Sequence, residues 1–208
     1  MSAALPELPE LPPNAFTKAD QAPDALFYQQ PRFVAHIDDG AIAAVTRLYR
    51  ELLPPDGVLL DLMGSWISHL PDDVSYAEVI GHGMNAEELA ANPRYARHFV
   101  QSLNQTPTLP LADASVDAVV NCVSIQYLQR PVAVMQEVRR VLRPGGPAVI
   151  TFSNRCFPTK AVAIWRALSG LDQCRLVELY LHRAGFTTVE SRELDSDGDP
   201  VWAVIGRA

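Results

Sequence analysis

Residues 113–154, DASVDAVVNCVSIQYLQRPVAVMQEVRRVLRPGGPAVITFSN, constrain the fold more than any other part of the chain, because they read without a gap as strand, loop, helix, turn and strand. Val116, Ala118, Val119 and Val120 form a short apolar run between turn formers, and residues 148–152 form a second. Such runs suit strands covered on both faces of a parallel sheet. Between them Val134, Val138, Val141 and Leu142 recur at helical spacing while Gln136, Glu137, Arg139 and Arg140 fall elsewhere, so one face can pack on the sheet and the other meets water. Pro131 suits the first turn of that helix. Pro144, Gly145 and Gly146 stop it, and Arg139, Arg140 and Arg143 stand where cations favour the helix dipole.

The rest of the chain extends the same pattern. Apolar positions Ile37, Ile42, Val45, Leu48, Tyr49, Leu52 and Leu53 predict a helical segment across residues 27–53, capped by Asp38 or Asp39 and broken by Pro54-Pro55-Asp56-Gly57. Strands follow at 58–62 and 76–81, then a helix at 85–91 with Asn85 as its cap and Glu87 and Glu88 in its first turn, and a short strand at 99–103. Beyond the opening unit, helices are predicted near 159–168 and at 171–184, and strands at 187–194 and 201–205. The short Asp/Gly-rich link between those last strands makes them a hairpin, so the final strand runs antiparallel in an otherwise parallel sheet. Residues 1–24, with Pro6, Pro9, Pro12, Pro13 and Pro23 among acidic and small residues, read as a loose tail, and residues 25–208 as one domain.

Composition narrows the class of partner. A length of 208 residues with 48% hydrophobic and 20% charged residues fits one domain with a sizeable core. A net charge of -7 argues against a phosphate-binding surface for nucleic acid and favours a small substrate. Cys122, Cys156 and Cys174 have no metal-ligand spacing and are odd in number, which speaks against zinc and against a disulfide framework and points to a reducing cytoplasm. Neither a basic region followed by an apolar one at the N-terminus nor a run of membrane-span length is present, so export and membrane insertion are not expected. Nothing in the sequence fixes the oligomeric state.

The segment S-x-D-x-V, here Ser115, Asp117 and Val119, followed by Leu142, Pro144, Gly145 and Gly146 and preceded by Leu109-Pro110, resembles the second half of a class I S-adenosylmethionine (SAM)-dependent methyltransferase of the type 11-like kind. The resemblance spans about residues 55–208. Residues 61–71 and 152–157, which read D-L-x-x-S-W-x-S-H-L-P and F-S-N-R-x-F, also resemble a plant and bacterial subgroup with a divergent glycine loop. The resemblance implies a Rossmann-like, doubly wound, mostly parallel seven-stranded sheet with an antiparallel last strand, in residues 55–208. It further implies a helical lid in residues 25–54, SAM as cofactor and direct methyl transfer to a small-molecule acceptor.

The cofactor loops depart from that family. After the first strand Asp61 matches the acidic position, but Met63, Ser65 and Ile67 occupy the glycine positions and Gly64 is out of phase. Ser65, Ser68 and His69 are candidates to supply donors for the cofactor's carboxylate. After the second strand Gly83 stands where the resemblance implies a ribose-binding acid, which leaves Met84 for adenine and Asn85, helped by His82 or the backbone, for ribose; the alternative is that Asn85 only caps the next helix and Met84 is core. Asn104 or Gln105 stands where the adenine edge is read, and Asn121 and Cys122 begin the stretch that lines the methyl-donor pocket.

On the acceptor side Tyr127 and Gln126 follow that stretch, with Tyr127 the first choice to shape the acceptor site. Upstream, His36 has a usable pKa for a general base and Arg32 suits a substrate carboxylate; Asn154 and Arg155, beyond the fifth strand, are a second anion-binding pair. The alternative from another class is a methyltransferase-fold protein that has lost catalysis and binds a ligand or partner. A nicotinamide enzyme fits less well, since neither G-x-G-x-x-G nor a ribose acid is present.

Overall fold

The computed structural model describes residues 8–208. In chain order the elements are α1 (Asp24–Phe27), α2 (Asp39–Leu52), β1 (Val58–Asp61), β2 (Glu78–Gly83), α3 (Ala86–Ala91), β3 (Arg97–Val100), β4 (Ala118–Cys122), α4 (Pro131–Val141), β5 (Pro147–Ser153), α5 (Ala163–Ala167), α6 (Leu171–Ala184), β6 (Thr188–Leu194) and β7 (Val201–Arg207). All seven strands join one sheet in the order β3-β2-β1-β4-β5-β7-β6. Strands β1 to β5 pair in parallel, and β7 lies antiparallel to both β5 and β6, as the terminal hairpin requires. The winding reverses between β1 and β4, so their carboxyl ends open onto the crevice where doubly wound sheets hold ligands.

Alternation along the central strands builds two cores. Leu60, Val119 and Ile150 pack with the α4 and α6 residues Val134, Val138, Val177 and Tyr180 on one face. Their neighbours Leu59, Val120 and Val149 pack with Val45, Leu48 and Tyr49 of α2 on the other. Every residue of β5 is buried, which explains its unbroken apolar run. The turn after α4 is locked to the strand before it: Gly145 adopts φ 79°, Arg143 pairs with Asp117, and a Cβ on Gly146 would lie 2.7 Å from the Asp117 carbonyl oxygen. Asp117 also accepts from Val58 N at 2.7 Å, which sets the start of β1. The S-x-D-x-V and L-x-P-G-G motifs are thus two sides of one contact.

Three regions differ from the sequence reading. Residues 1–7 of the expected loose tail lie outside the described residues, but from Leu8 the segment is folded, with Leu8, Ala15 and Lys18 buried and Lys18 bridged to Val162. Fully buried Lys160 holds it, donating to Ala22 O at 2.7 Å and pairing with Asp20 at 3.1 Å. The helical segment across 27–53 resolves into α1, a non-helical strap over 28–38 and α2, because Asp38 caps α2 by accepting from Ala41 N and starts it twelve residues later. Finally, β2 runs two residues further than predicted, which brings His82 and Gly83 into the strand.

One connection is unusual. Residues 62–77 link the parallel neighbours β1 and β2 and contain no helix, although such crossovers ordinarily carry one.

Candidate active site

A cavity of about 280 Å³ opens at the carboxyl ends of β1, β2 and β4 beneath the strap. Its walls include Asp61 and Met63 to His69 from the β1 loop, His82 to Asn85 and Glu88 from β2 and α3, Ser102 to Asn104, Cys122 to Ser124, Tyr127, and Arg155 to Phe157 after β5. Asp24, Tyr28, Val34 and His36 close it from the N-terminal side.

The β1 loop lies down on β2. Met63 and His69 take left-handed backbone angles, φ 60° and 53°. The Met63 N–H donates to His82 Nδ1 at 3.0 Å and the Gly64 N–H to the His82 carbonyl at 2.7 Å. With Nδ1 accepting, the ring proton sits on Nε2 and donates to Gln101 O at 3.0 Å. Burial lowers the His82 pKa to about 4, so this bridge is neutral at pH 7. The approach is close enough to require two glycines: a Cβ on Gly83 would lie 2.6 Å from Gly64 O, and one on Gly64 would lie 2.3 Å from the Tyr95 hydroxyl. Beneath them Asp61 accepts from Tyr95 OH at 2.9 Å, and burial raises its pKa to about 6.

Several predicted cofactor residues have their polar groups committed to the protein. Ser65 Oγ donates to Glu88 Oε2 at 2.6 Å, and Ser68 Oγ accepts from Asn92 Nδ2 at 2.8 Å. Asn85 is a cap: Oδ1 accepts from Glu87 N and Glu88 N, while Nδ2 donates to Tyr28 O and Gln29 O of the strap. All four of its hydrogen-bonding positions are filled, so it cannot also read a ribose. Asn104 gives both amide hydrogens, to Asp24 Oδ2 at 2.8 Å and Tyr127 O at 3.0 Å. Gln105 lines a separate cleft with Lys18 and Gln129. Asn121 is wholly buried in β4, donates to Leu62 O and does not line the cavity. Met84 and Cys122 do line it, and burial pushes the Cys122 thiol up to about 12, so it stays protonated. His69 also lines it; its Nδ1 is buried with no hydrogen-bond partner, and burial followed by the charge of His36 lowers its pKa to about 4.

On the acceptor side Tyr127 is placed as expected, in a 3₁₀ turn over Ile125–Tyr127 on the cavity wall. Its hydroxyl accepts from Phe157 N at 2.9 Å, its ring stacks on Phe157, and burial raises its pKa to about 12. His36 stands at the rim against Phe157 with its pKa lowered, chiefly by desolvation. Arg155 lines the cavity and pairs with buried Asp199 at 2.8 Å. Three candidates are not brought to the cavity. Gln126 is buried and donates to Val123 O, exposed Asn154 lies outside the wall, and Arg32 turns its guanidinium to Phe27 O and Gln30 O and over the Phe27 ring at 4.5 Å. Sequence reasoning placed Ser124 in the pocket-lining stretch without giving it a role, and did not single out Phe157, Trp66, Asp24 or Glu88 as wall residues. Only Glu88 had a usable signal, its place one turn after a helix cap.

A family model described as a methyltransferase domain matches residues 63–150. Over 154 residues the chain is 31% identical to malonyl-[acyl-carrier protein] O-methyltransferase of Methylococcus capsulatus, an alignment covering 67% of this chain and 55% of the relative. Residues 63–150 thus match a methyltransferase domain, and the chain is similar to a SAM-dependent methyltransferase of the class I kind over two thirds of its length. It spans only about 55% of the length of that curated relative. Among solved structures, a chain from the Haloferax volcanii complex containing the Trm112 methyltransferase activator superposes with a TM-score of 0.65 at 14% identity, covering 82% of this chain and 91% of that one. A SAM-dependent methyltransferase from Aquifex aeolicus gives 0.58 at 16% identity, covering 88% and 96%. At such identities these likenesses show the methyltransferase fold.

The wall fits the SAM of this family in one specific respect. Ser124 Oγ and His69 Nδ1 are buried without a hydrogen-bond partner, and both residues line the cavity from the two strands that flank the switch point. A buried polar atom left unpaired costs about 1–3 kcal/mol. Two on one wall match a polar ligand that satisfies them. The loop after β1, however, carries no helix N-terminus, so it offers no helix-end backbone donors to an anion there.

Proposed function

We propose that the protein is a SAM-dependent methyltransferase whose acceptor is a small molecule, or a small acyl group, entering between the strap and the loop after β5. The observation that carries this reading is that two residues of the switch-point cavity wall, Ser124 and His69, have buried polar atoms, Oγ and Nδ1, without a hydrogen-bond partner. When bound, the cofactor supplies an electrophilic methyl group on a positively charged sulfur. The protein's part is then to align the acceptor, to exclude water and, for a protonated acceptor, to take its proton.

Tyr28, Tyr127 and Phe157 form an aromatic wall that excludes water, and the Tyr127 hydroxyl holds the Phe157 backbone in place. Tyr127 stays neutral at physiological pH and orients rather than titrates. His36, its pKa lowered, is neutral at pH 7 and can accept a proton from an acceptor at the rim. Arg155, whose charge is balanced by Asp199, can still donate to an anionic acceptor through its free guanidinium nitrogens. The curated relative's name specifies a malonyl acceptor on a carrier protein, and an acidic acyl group would suit Arg155.

Calorimetric titration with SAM and S-adenosylhomocysteine tests the cofactor half, with dissociation constants expected on the order of 1–100 μM; absence of heat up to about millimolar ligand sinks it. Incubating cell extract with methyl-labelled SAM tests the acceptor half. Label confined to the small-molecule fraction supports it, and label retained on protein side chains argues against it.

A further inference from the structure

We propose that Glu88 is the carboxylate that receives the ribose hydroxyls of the bound cofactor, in place of any acid at the end of β2. This rests on the cavity being a SAM site. A ribose presents two adjacent O–H donors, and a carboxylate with free lone pairs is the side chain best matched to accept both. The end of β2 cannot offer one, because Gly83 lies against the Gly64 carbonyl and even a Cβ there would sit at 2.6 Å from it.

Among the described residues, the carboxylates on the cavity wall are Asp24, Asp61 and Glu88. Both oxygens of Asp24 accept from Lys18 Nζ, at 2.8 and 2.7 Å, and Oδ2 also accepts from Asn104. Asp61 lies under Gly64, is 3% exposed, accepts from Tyr95 OH and has its pKa raised to about 6. Glu88 differs from Asp24 in its open acceptor positions and from Asp61 in its greater exposure. It is 8% exposed, and each oxygen takes one donor only: Ser65 Oγ on Oε2 at 2.6 Å and Arg32 N on Oε1 at 2.7 Å. A carboxylate has about four acceptor positions, so each oxygen keeps one for a ligand.

The nearby amides offer no substitute. Asn85 is saturated, and Gln101 Nε2 is turned to Thr106 O and Thr108 O. Glu88 is also preorganised, since one donor comes from the β1 loop and the other from the strap, and a carboxylate fixed from both sides loses little freedom when the hydroxyls arrive. The bond from Arg32 N ties ribose binding to the seating of the strap.

The test is calorimetry on the full chain with three probes: S-adenosylhomocysteine, its 2′-deoxy analogue and its 3′-deoxy analogue. Wild type should bind the parent about 10- to 100-fold more tightly than either analogue. In Glu88→Gln the parent should weaken by a similar factor while the analogues change little, so that the preference for the hydroxyls collapses. Glu88→Asp, which keeps the charge but withdraws it by one methylene, should give the same collapse and serves if the Gln variant does not fold. Retention of the full preference in either variant, or equal weakening of all three probes, overturns the assignment. Wild type that binds none of them overturns instead the SAM reading beneath it.

Discussion

Asp61 carries a pH signature that belongs to one residue. Burial raises its folded pKa from 3.8 to about 6. Below 3.8 the carboxyl is protonated in both folded and unfolded chains; between 3.8 and about 6 the unfolded chain has released its proton while the folded one keeps it. Stability from this group is therefore fully present below 3.8 and is lost as pH rises through 6. In Asp61→Asn the loss cannot occur, so urea unfolding should show the variant gaining about 2 kcal/mol relative to wild type between pH 4 and pH 7. A second residue-scale prediction concerns Gly83. Gly83→Asp should destabilise the fold by about 1–3 kcal/mol, because its Cβ meets the Gly64 carbonyl, and should weaken rather than improve SAM binding in the same calorimetric titration.

The strap and α3 act together as elements. Asn85 caps α3 with its oxygen and holds Tyr28 and Gln29 with its nitrogen, while Glu88 holds Arg32. Asn85→Ala should cost about 1 kcal/mol from the cap alone. It should also speed hydrogen–deuterium exchange in residues 28–36 relative to the sheet; unchanged exchange there would separate the cap from the strap. This element also marks the limit of what was legible. Strands and helices behind the site announced themselves because their apolar residues recur at periods of two or 3.6. The strap has no such period: it is ordered by tertiary bonds from Asn85 and Glu88, and a sequence shows those residues without showing which backbone groups they reach. For the same reason Asn85 and Asn104 read as ligand-binding amides when their amide hydrogens are spent inside the protein.

At the scale of the molecule, residues 8–24 are held to the sheet domain by buried Lys160, which pairs with half-buried Asp20 and Asp24, while buried Lys18 pairs with Asp24 inside the segment. Proline content suggested a segment unable to bury surface, yet Leu8 and Ala15 are buried and the charges compensate one another. Lys160→Met removes one partner and leaves Asp20 and Asp24 with a single cation. It should cost about 3 kcal/mol in urea unfolding and free the N-terminal segment to limited proteolysis; a change below about 1 kcal/mol would show that the cluster does not hold the segment. Fold class was legible at this scale because the terminal hairpin and the two-faced apolar strands leave few topologies.

The contact between Gly64 and Gly83 also has a historical consequence. Neither position is free to change by itself: an acid at 83 is blocked while the loop lies against the strand, and the loop has no reason to lift while nothing at 83 needs the space. An acid can stand at 83 only after the loop's path has altered. Substitutions at the two loops are therefore order-dependent, the path of the first setting what the second can accept.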